Sequence, residues 1–328
     1  MKPLLPVTVI GGYLGCGKTT LVNHLLRHAN GVRLAVLVND FGELPIDADL
    51  IEAEAGANSS DVISLTGGCV CCSYGDDLSL SLQKLLTRES LPDHVFIEAS
   101  GVALPGAIGR SLSLQRAYQL EGIVVLADAA SVQNTASEKY IGDTIQRQLN
   151  DADLIVLNKQ DLLSDSLAAT VRQWVNEHYA HAPRVDTVHS AIAPGVLFDM
   201  KRSVASQEVS SSDSTGNADQ GRIHHNKPHD NHNVSSVFST ISLTISQQVD
   251  AHELAATLAD KRCGLVRAKG FVMHVDNTLK TIQVVGRRWS VTDAPVGVST
   301  GVVCIACMDQ LSEERIRSLC GLNASAAI

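Results

Sequence analysis

Residues 6–19 read PVTVIGGYLGCGKT, an apolar run that passes through a glycine-rich turn into Lys18 and Thr19. The turn carries the full G-x-x-x-x-G-K-T pattern between a predicted strand and a predicted helix, as a phosphate-binding loop requires. Glycines let backbone N–H groups turn inward around phosphate oxygens, and the helix N-terminus adds partial positive charge. Lys18 is expected to reach the β- and γ-phosphates, and the Thr19 hydroxyl is expected to hold Mg²⁺.

This loop supplies most of the predicted nucleotide-binding residues. They are Gly12, Gly15, Cys16, Gly17, Lys18, Thr19 and Thr20. Lys18 is also assigned a catalytic role, because it would face the phosphate that is transferred. The alternative is a glycine-rich turn that precedes a helix by chance, which a full match in this context disfavours.

Short apolar runs alternate with helical patterns through the first two hundred residues. This alternation is typical of βαβ units and predicts an α/β fold with a doubly wound, mostly parallel sheet buried on both faces. Strands are predicted at 6–11, 33–38, 95–98, 123–127 and 154–157, and helices at 18–29, 78–87 and 163–179.

The composition then changes, which predicts three parts: a P-loop domain (1–202), a linker (203–236) and a small α+β domain (237–328). The linker is rich in Ser, Asn, Asp, Gln and His. The few apolar residues of this linker cannot offset the conformational entropy that it would lose on ordering. A flexible segment is therefore expected. In the last part, strands are predicted at 237–246, 264–275, 280–288 and 299–308, and helices at 251–261 and 311–321.

Length and charge argue against several classes of protein. The chain has 328 residues and a formal net charge of −9. A nucleic-acid partner would call for a basic patch, so none is expected. The sequence contains no run of about 18 apolar residues, so no membrane span is expected. The first residues do not resemble a secretory signal, and the crowding of three cysteines does not resemble a disulfide framework, so a cytoplasmic location is predicted.

Two acidic residues follow predicted strands and are candidates for a catalytic role. Glu98 closes the strand 95–98, and Asp40 follows the strand 33–38. The carboxyl ends of parallel strands meet at the edge where ligands of open α/β sheets bind. A role at Mg²⁺ or at the attacking water is therefore predicted, against the alternative of carboxylates exposed at strand ends.

The tetrapeptide Asn158-Lys159-Gln160-Asp161 follows another predicted strand and has the form N-K-x-D. The Asp161 carboxylate can accept hydrogen bonds from guanine N1–H and the 2-amino group, a pair that adenine lacks, and such a site rejects the wrong base strongly. Asn158, Lys159 and Asp161 are thus predicted to bind GTP. Ser190 and Ala191 are predicted to supply a backbone donor to guanine O6.

Cys69, Cys71 and Cys72 form the most unusual cluster of the chain. Three neighbouring thiolates repel one another unless a cation is present, and Zn²⁺ binds thiolates tetrahedrally, as Co²⁺ also can. A metal site is therefore predicted, with small buried hydrophobes or a redox dithiol as alternatives.

Four histidines lie within nine residues of the linker: His224, His225, His229 and His232. Neutral imidazoles on a flexible chain can bind Zn²⁺, Ni²⁺ or Co²⁺, which would make this segment a metal reservoir. An unstructured linker that is histidine-rich by chance is an equal alternative.

The combination of motifs resembles the CobW-type GTPases, relatives of the hydrogenase and urease nickel-insertion GTPases. The resemblance rests on GGYLGCGKTT, NDFGELPID, GGCVCC, IEASGVALP, NKQD and, in the last domain, RAKGF. It implies a P-loop GTPase domain followed by a small α+β domain. It also implies a metallochaperone in which GTP helps form a metal site at Cys69, Cys71 and Cys72, and hydrolysis releases the ion.

The resemblance further implies a client, either a metalloprotein or an enzyme of cofactor synthesis, and it is compatible with a homodimer. The chain departs from the family pattern at Asp40, where Glu is usual, and in lacking an R-P-F-H-P-like segment. Three alternatives stay open: a metal-storage protein with a structural nucleotide, a P-loop kinase or ATPase with incidental cysteines, and a redox-sensing P-loop NTPase.

Overall fold

A computed structural model describes residues 4–38, 61–64, 76–199, 238–295, 297–307 and 312–322. These residues form two sheets, one parallel and one antiparallel, each covered by its own helices. The domain that contains the parallel sheet comes first in the chain.

Seven strands make up the parallel sheet. They are β1 (Leu5–Gly12), β2 (Leu34–Val38), β3 (Asp61–Ser64), β4 (His94–Glu98), β5 (Tyr118–Asp128), β6 (Leu154–Asn158) and β7 (Arg184–Asp186). In space their order is β3-β2-β4-β1-β5-β6-β7, and every neighbouring pair is parallel. The predicted α/β fold class is confirmed, although β3 and β7 were not predicted because each has only three or four residues.

Helices cover both faces of this sheet. They are α1 (Lys18–Arg27), α2 (Asp76–Leu86), α3 (Pro105–Ser113), α4 (Val132–Ala136), α5 (Gly142–Asp151) and α6 (Asp165–His178). Alternate residues of a strand enter different cores: Ala35 and Leu37 of β2 pack on one face, and Val36 on the other. This is why the strands read as unbroken apolar runs. No helix of the described part is both long and apolar enough to cross a membrane.

The second sheet has five antiparallel strands in the order β11-β10-β9-β12-β8. Its elements are β8 (Phe238–Leu243), α7 (Ala251–Leu258), β9 (Leu265–Met273), β10 (Leu279–Val285), β11 (Arg288–Asp293), β12 (Gly301–Cys307) and α8 (Glu313–Leu319). An antiparallel sheet with helices packed on it is the predicted α+β class, which is confirmed.

The predicted single strand at 280–288 is wrong, because the chain turns at Gly286 and Arg287 and returns as β11. Gly286 has a φ of 54°, and a Cβ there would lie 1.7 Å from the carbonyl oxygen of Asp153 in the first domain. The turn therefore makes close backbone contact with the parallel-sheet domain. Only glycine fits both its conformation and this contact.

Charged groups join the two domains at two places. At the turn, the buried carboxylate of Asp153 accepts hydrogen bonds from Arg287 Nε (3.2 Å) and Arg288 Nε (2.7 Å). On β9, Arg267 donates to Asp199 Oδ1 at 2.6 Å and lies 3.6 Å from Glu121 Oε2. Arg267 and Glu121 are both buried. Their charges are compensated only while the domains stay together, since an unpaired buried charge is costly.

His94 lies fully buried behind this second contact. Its Nε2 is 3.0 Å from the Thr8 hydroxyl on the adjacent strand. Burial lowers the pKa of His94 to about 4, and the nearby Glu121 carboxylate opposes the shift only partly. The imidazole is therefore neutral in the folded protein at pH 7.

We expect His94 to make the folded state sensitive to mild acid. In the unfolded chain a histidine titrates near 6.5, so between about pH 6.5 and 4 the unfolded state binds more protons. The free energy of unfolding should fall over this window as the pH decreases, by roughly 3 kcal/mol from this group. Urea unfolding of the parent and of His94→Gln at several pH values measures it.

Glutamine keeps a hydrogen-bonding side chain but does not titrate, so the variant should show a flatter pH dependence. His178→Gln, at an exposed histidine, is the matched control and should leave the slope unchanged. An unaltered slope in His94→Gln would assign the acid sensitivity to other groups.

Candidate functional site

The predicted phosphate loop connects β1 to α1 at the carboxyl edge of the parallel sheet. β1 lies between β4 and β5, so the loop opens at the centre of that edge. Gly17 is the N-cap of α1 with a φ of 104°, and no described side chain caps the helix. A Cβ at Gly17 would lie 2.5 Å from Ser190 Oγ and 2.6 Å from Asn158 Nδ2, so glycine is required there. Because no described side chain caps α1, the N–H groups of its first turn can bind an anion.

The three side chains that follow Gly17 lie at the start of α1. Lys18 is buried, and its Nζ lies 3.4 Å from the carbonyl oxygen of Tyr13, so the ammonium folds back over the loop. The Thr19 hydroxyl donates to Glu98 Oε1 at 2.9 Å. Thr20 is exposed on the first turn. The structure thus brings Lys18, Thr19 and Glu98 together, although they come from two separate parts of the sequence.

Thr19 and Glu98 suit a hard cation. Mg²⁺ prefers oxygen ligands and is commonly held by one or two of them from the protein. A hydroxyl and a carboxylate oxygen 2.9 Å apart, at the first turn of the helix that follows the phosphate loop, offer such a pair. Glu98 is buried at the end of β4, which fixes its position.

Cys16 is part of the loop, but its thiol belongs to the core. The side chain is 2% exposed and packs in the apolar cluster beneath α1. Burial raises the pKa of Cys16 to about 11, and the neighbouring Lys18 offsets this only in part. A thiol that stays protonated at neutral pH is a poor nucleophile and a poor metal ligand.

Asn158 at the end of β6 ties the phosphate loop to the loop after β7. Its Nδ2 donates to the carbonyl oxygen of Cys16 (2.9 Å) and to Ser190 Oγ (2.8 Å). Its Oδ1 accepts from the Ser190 N–H (2.8 Å) and from the Thr187 hydroxyl (3.1 Å). Ser190 Oγ in turn donates to the carbonyl oxygen of Gly17 (3.0 Å). The Asn158 side chain therefore makes four hydrogen bonds in a buried setting.

The rest of the N-K-x-D tetrapeptide lies at the surface beside this network. Lys159 has a φ of 63°, and its Nζ forms an ion pair with Asp128 Oδ2 at 2.8 Å. Asp161 lies exposed in the short 3₁₀ helix Gln160–Leu162. This arrangement leaves the Asp161 carboxylate accessible to a base at the carboxyl edge of β6.

Ser190 and Ala191 follow β7 and lie next to Asn158. Ser190 is fully buried with a φ of 55°. The Ala191 N–H donates to the carbonyl oxygen of Val188 at 3.1 Å. The structure therefore joins Ser190 to the phosphate loop and places Ala191 beside it.

Several predicted site residues lie outside the described residues. They are Asp40, Cys69, Cys71, Cys72 and the linker histidines His224, His225, His229 and His232. Among the residues that the structure does describe, no group of three or more His, Cys, Asp or Glu side chains could hold a metal ion. The predicted metal site thus stays a prediction from the sequence.

Sequence reasoning missed two side chains that support the site. Gln148 on α5 is buried and donates to the carbonyl oxygens of Gly101 (3.0 Å) and Ala103 (2.8 Å), which fixes the loop that follows Glu98. Asp128 forms the ion pair that positions the Lys159 side chain. An acid at the end of a strand was a usable signal for Asp128. Gln148 sits in a polar helical stretch and offered none.

A central glycine loop between a strand and a helix, on a parallel sheet, defines the class of P-loop nucleotide-binding proteins. Two family models match the chain: the CobW/HypB/UreG nucleotide-binding domain over residues 6–186, and the CobW C-terminal domain over residues 238–319. The first covers more than half of the sequence. The chain therefore belongs to the CobW/HypB/UreG family, and the predicted resemblance is confirmed.

Named relatives match over part of their length. A zinc chaperone CobW from Sinorhizobium sp is 35% identical over an alignment of 222 positions that covers 60% of this chain and 62% of the relative. A zinc-regulated GTPase metalloprotein activator 1 from Schizosaccharomyces pombe is 31% identical over 194 residues, 57% of this chain and 47% of the relative. The matches thus span about half to three fifths of these relatives.

One solved structure aligns with nearly the whole chain. The Zn(II)-bound YjiA GTPase from E. coli is 25% identical, with 98% of this chain and 100% of that chain covered and a TM-score of 0.45.

Replacement of Asn158 by Ala should destabilise the protein markedly. It leaves the buried Ser190 N–H without its acceptor and the Cys16 carbonyl without its donor, each of which costs about 1–3 kcal/mol. We expect the free energy of unfolding in urea to fall by about 2–4 kcal/mol.

Thr187→Val is the matched control, since it removes only one of the four hydrogen bonds to Asn158. It should cost about 1 kcal/mol. Equal losses in the two variants would mean that the Asn158 side chain does not join the two loops as inferred.

Proposed function

We propose that the chain is a GTP-hydrolysing metallochaperone whose cargo is a transition metal, zinc in the first place, with cobalt as the alternative. The GTP-binding part of this proposal rests on the Asn158 side chain, whose hydrogen bonds link the N-K-x-D loop to the phosphate loop. The cargo half rests on the C-x-C-C cluster in the sequence and on relatives named zinc chaperone and zinc-regulated GTPase metalloprotein activator.

In this proposal the triphosphate lies along the loop between β1 and α1. Backbone N–H groups of the first turn of α1 and the Lys18 ammonium would contact its oxygens. Thr19 and Glu98 would hold Mg²⁺. When bound, that ion neutralises charge on the phosphate oxygens. The loop after Glu98, held by Gln148, would position the attacking water.

The base would lie over the ends of β6 and β7. Asp161 is exposed and can accept two hydrogen bonds from guanine, while Lys159 is held in place by Asp128. Ser190 fixes the neighbouring loop against the phosphate loop, so base recognition and phosphate binding share one rigid element.

Asp161→Asn tests the base assignment. An amide can accept from N1–H but presents an NH₂ group to the guanine 2-amino group, so two donors would meet. We expect GTP affinity to fall by at least about a hundredfold. Affinity for xanthosine triphosphate should rise, because its 2-oxo group accepts from the amide. Titration with fluorescent GTP, ATP and xanthosine triphosphate analogues measures this.

Asp165→Asn is the control, since Asp165 begins α6 and is also exposed. It should leave the order of nucleotide affinities unchanged. If Asp161→Asn keeps the parental preference for GTP, or if the parent prefers ATP, the guanine assignment fails and a P-loop ATPase or kinase is favoured.

The sheet topology supports a link between the proposed cargo segment and the nucleotide. Residues 65–75, which contain Cys69, Cys71 and Cys72, connect β3 to α2 and leave β3 at its carboxyl end, the same sheet edge as the phosphate loop. β3 stands three positions from β1, a separation of roughly 14 Å. Cys69 follows Ser64 by five residues, and five extended residues reach at most about 18 Å. A γ-phosphate could therefore influence the cysteine segment directly.

The client would then be a metalloprotein or an enzyme of cofactor synthesis that lacks its metal. Release would follow hydrolysis, because loss of the γ-phosphate removes the contacts that order such segments. A homodimer is compatible with this proposal.

Coupling between nucleotide and metal is the decisive measurement. We expect Zn²⁺ to bind at least about ten times more tightly with Mg²⁺-GTP than with Mg²⁺-GDP in reducing buffer, a typical size for coupled sites. By reciprocity, Zn²⁺ should tighten GTP binding by the same factor. Competition against a chromophoric chelator gives the zinc affinity, and a parallel Co²⁺ titration identifies the better-held ion.

The triple variant Cys69→Ser, Cys71→Ser, Cys72→Ser should lose the coupling, while Cys304→Ala, which changes a buried thiol elsewhere, should retain it. Equal zinc affinity in both nucleotide states would remove the chaperone proposal and favour metal storage with a structural nucleotide. A disulfide in place of metal binding would favour the redox alternative.

A further inference from the structure

A cleft lies between the two domains, at the edge of the parallel sheet opposite the phosphate loop. The first domain lines it with Asn176 of α6 and with the connection 180–184, which enters β7 at its amino end. The second domain lines it with Ala259, with Lys261 of the 3₁₀ turn Lys261–Cys263, and with residues 264–265, where β9 begins. The cleft has a volume of about 230 Å³. One water needs only about 10–15 Å³ on this measure, so the cleft can hold a small organic molecule.

The described side chains that line this cleft are basic, polar or apolar, and none of them is acidic. Lys261 is exposed and brings one positive charge from the second domain. The preceding residue, Asp260, does not line the cleft, and its carboxylate is paired with the guanidinium of Arg262 at 3.0 Å. A cleft that carries charge of one sign concentrates counter-ions, in this case anions.

Arg184 brings positive charge from the opposite wall. Its Nε lies 2.7 Å from Asp186 Oδ1, while the Nε of Arg172 lies 2.6 Å from Asp186 Oδ2. Two guanidinium groups thus share one carboxylate, and the group keeps one net positive charge. Arg184 Nη1 also donates to Asn176 Oδ1 at 2.7 Å and to the carbonyl oxygen of Arg172 at 3.1 Å. The guanidinium is therefore held in place beside the cleft, which lowers the entropic cost of binding a ligand there.

His181 adds a polar group that carries no charge. Burial lowers its pKa, and the neighbouring Arg287 lowers it further, so the imidazole is neutral at pH 7. A neutral imidazole can donate one hydrogen bond and accept another. The cleft therefore offers two net positive charges together with neutral hydrogen-bonding groups. A phosphate monoester carries a charge of about −1.5 to −2 at neutral pH, which matches this lining.

We propose that the cleft binds a small phosphate-bearing anion, either free phosphate or a phosphate monoester. The proposal is independent of the GTP and metal assignments. Lys261 and Arg184 would attract the phosphate from opposite walls, and His181 would hydrogen-bond to it. Because the anion would touch both domains, it would stabilise their junction in addition to the ion pairs of Asp153 and Arg267.

The test is a titration of the full-length chain followed in assigned ¹H–¹⁵N correlation spectra. Sodium phosphate is compared with sodium chloride at equal ionic strength. We expect the backbone amides of residues 180–184 and 261–265 to shift, saturably, with phosphate alone. Shifts at residues 12–20 report phosphate in the phosphate loop, so one set of spectra separates the two sites. A parallel titration with glycerol 3-phosphate shows whether the cleft prefers an ester or the free ion.

Lys261→Gln should weaken phosphate binding in the cleft by at least about threefold and leave the shifts of residues 12–20 unchanged. Arg262→Gln is the matched control, because it removes the same charge from the next position, which is exposed and does not line the cleft. It should keep the parental affinity. Lys261 is exposed, so its variant is expected to fold, and the same spectra check this.

Three results would overturn the proposal. The amides of the cleft could fail to shift with either phosphate compound. Their shifts could follow ionic strength equally in phosphate and chloride, which would indicate screening of surface charges. Arg262→Gln could weaken binding as much as Lys261→Gln, which would indicate general attraction to a basic surface.

Discussion

The buried amide of Asn158 is the interaction on which the rest of the site depends. One side chain satisfies the carbonyl oxygen of Cys16 in the phosphate loop and the N–H of Ser190 in the loop after β7. An amide is suited to this, because it offers donors and acceptors from a single planar group. In a buried setting each of these partners would be costly to leave unpaired. The network therefore fixes the two loops relative to each other.

The sheet supplies the frame for that network. Parallel strands bring their carboxyl ends to one edge, so β1, β4 and β6 deliver the phosphate loop, Glu98 and Asn158 to neighbouring positions. Polar groups that are buried at this edge take their partners from different strands: Thr19 bonds to Glu98, and Asn158 bonds across to Cys16 and Ser190. The apolar strands beneath hold these ends rigidly, since their side chains fill cores on both faces.

The junction between the domains follows a related rule. Asp153 and Arg267 are buried charges that find compensation on the other side of the boundary. Breaking such a pair leaves an unpaired charge in a poorly solvated place. The free-energy cost of separating the domains is therefore larger than the net stabilisation that the ion pair itself contributes. The second domain is consequently held in a defined position against β5 and β6, beside the strand that ends in Asn158.

The sequence was sufficient for the fold class and for the order of the motifs. Glycine and lysine spacing identified the phosphate loop, and apolar runs identified the long strands, because both signals are local. The pairing of Thr19 with Glu98 could be expected only from topology, since 79 positions separate them. Gln148 and the contact of Gly286 with Asp153 could not be foreseen. Their importance depends on which surfaces meet, and a local pattern of polar residues or one glycine does not encode that.

The described cysteines also show why residue type alone does not define metal chemistry. A thiol binds zinc as the thiolate, so metal binding must include the cost of deprotonation. Burial raises the pKa of Cys16 to about 11 and that of Cys304 to about 12, so both thiols are poor competitors for an ion at neutral pH. Cys16 therefore does not become a metal ligand merely because it lies in the nucleotide loop. A metal ion would bind preferentially to thiols that are easier to deprotonate than these two. The phosphate loop therefore uses its cysteine for packing.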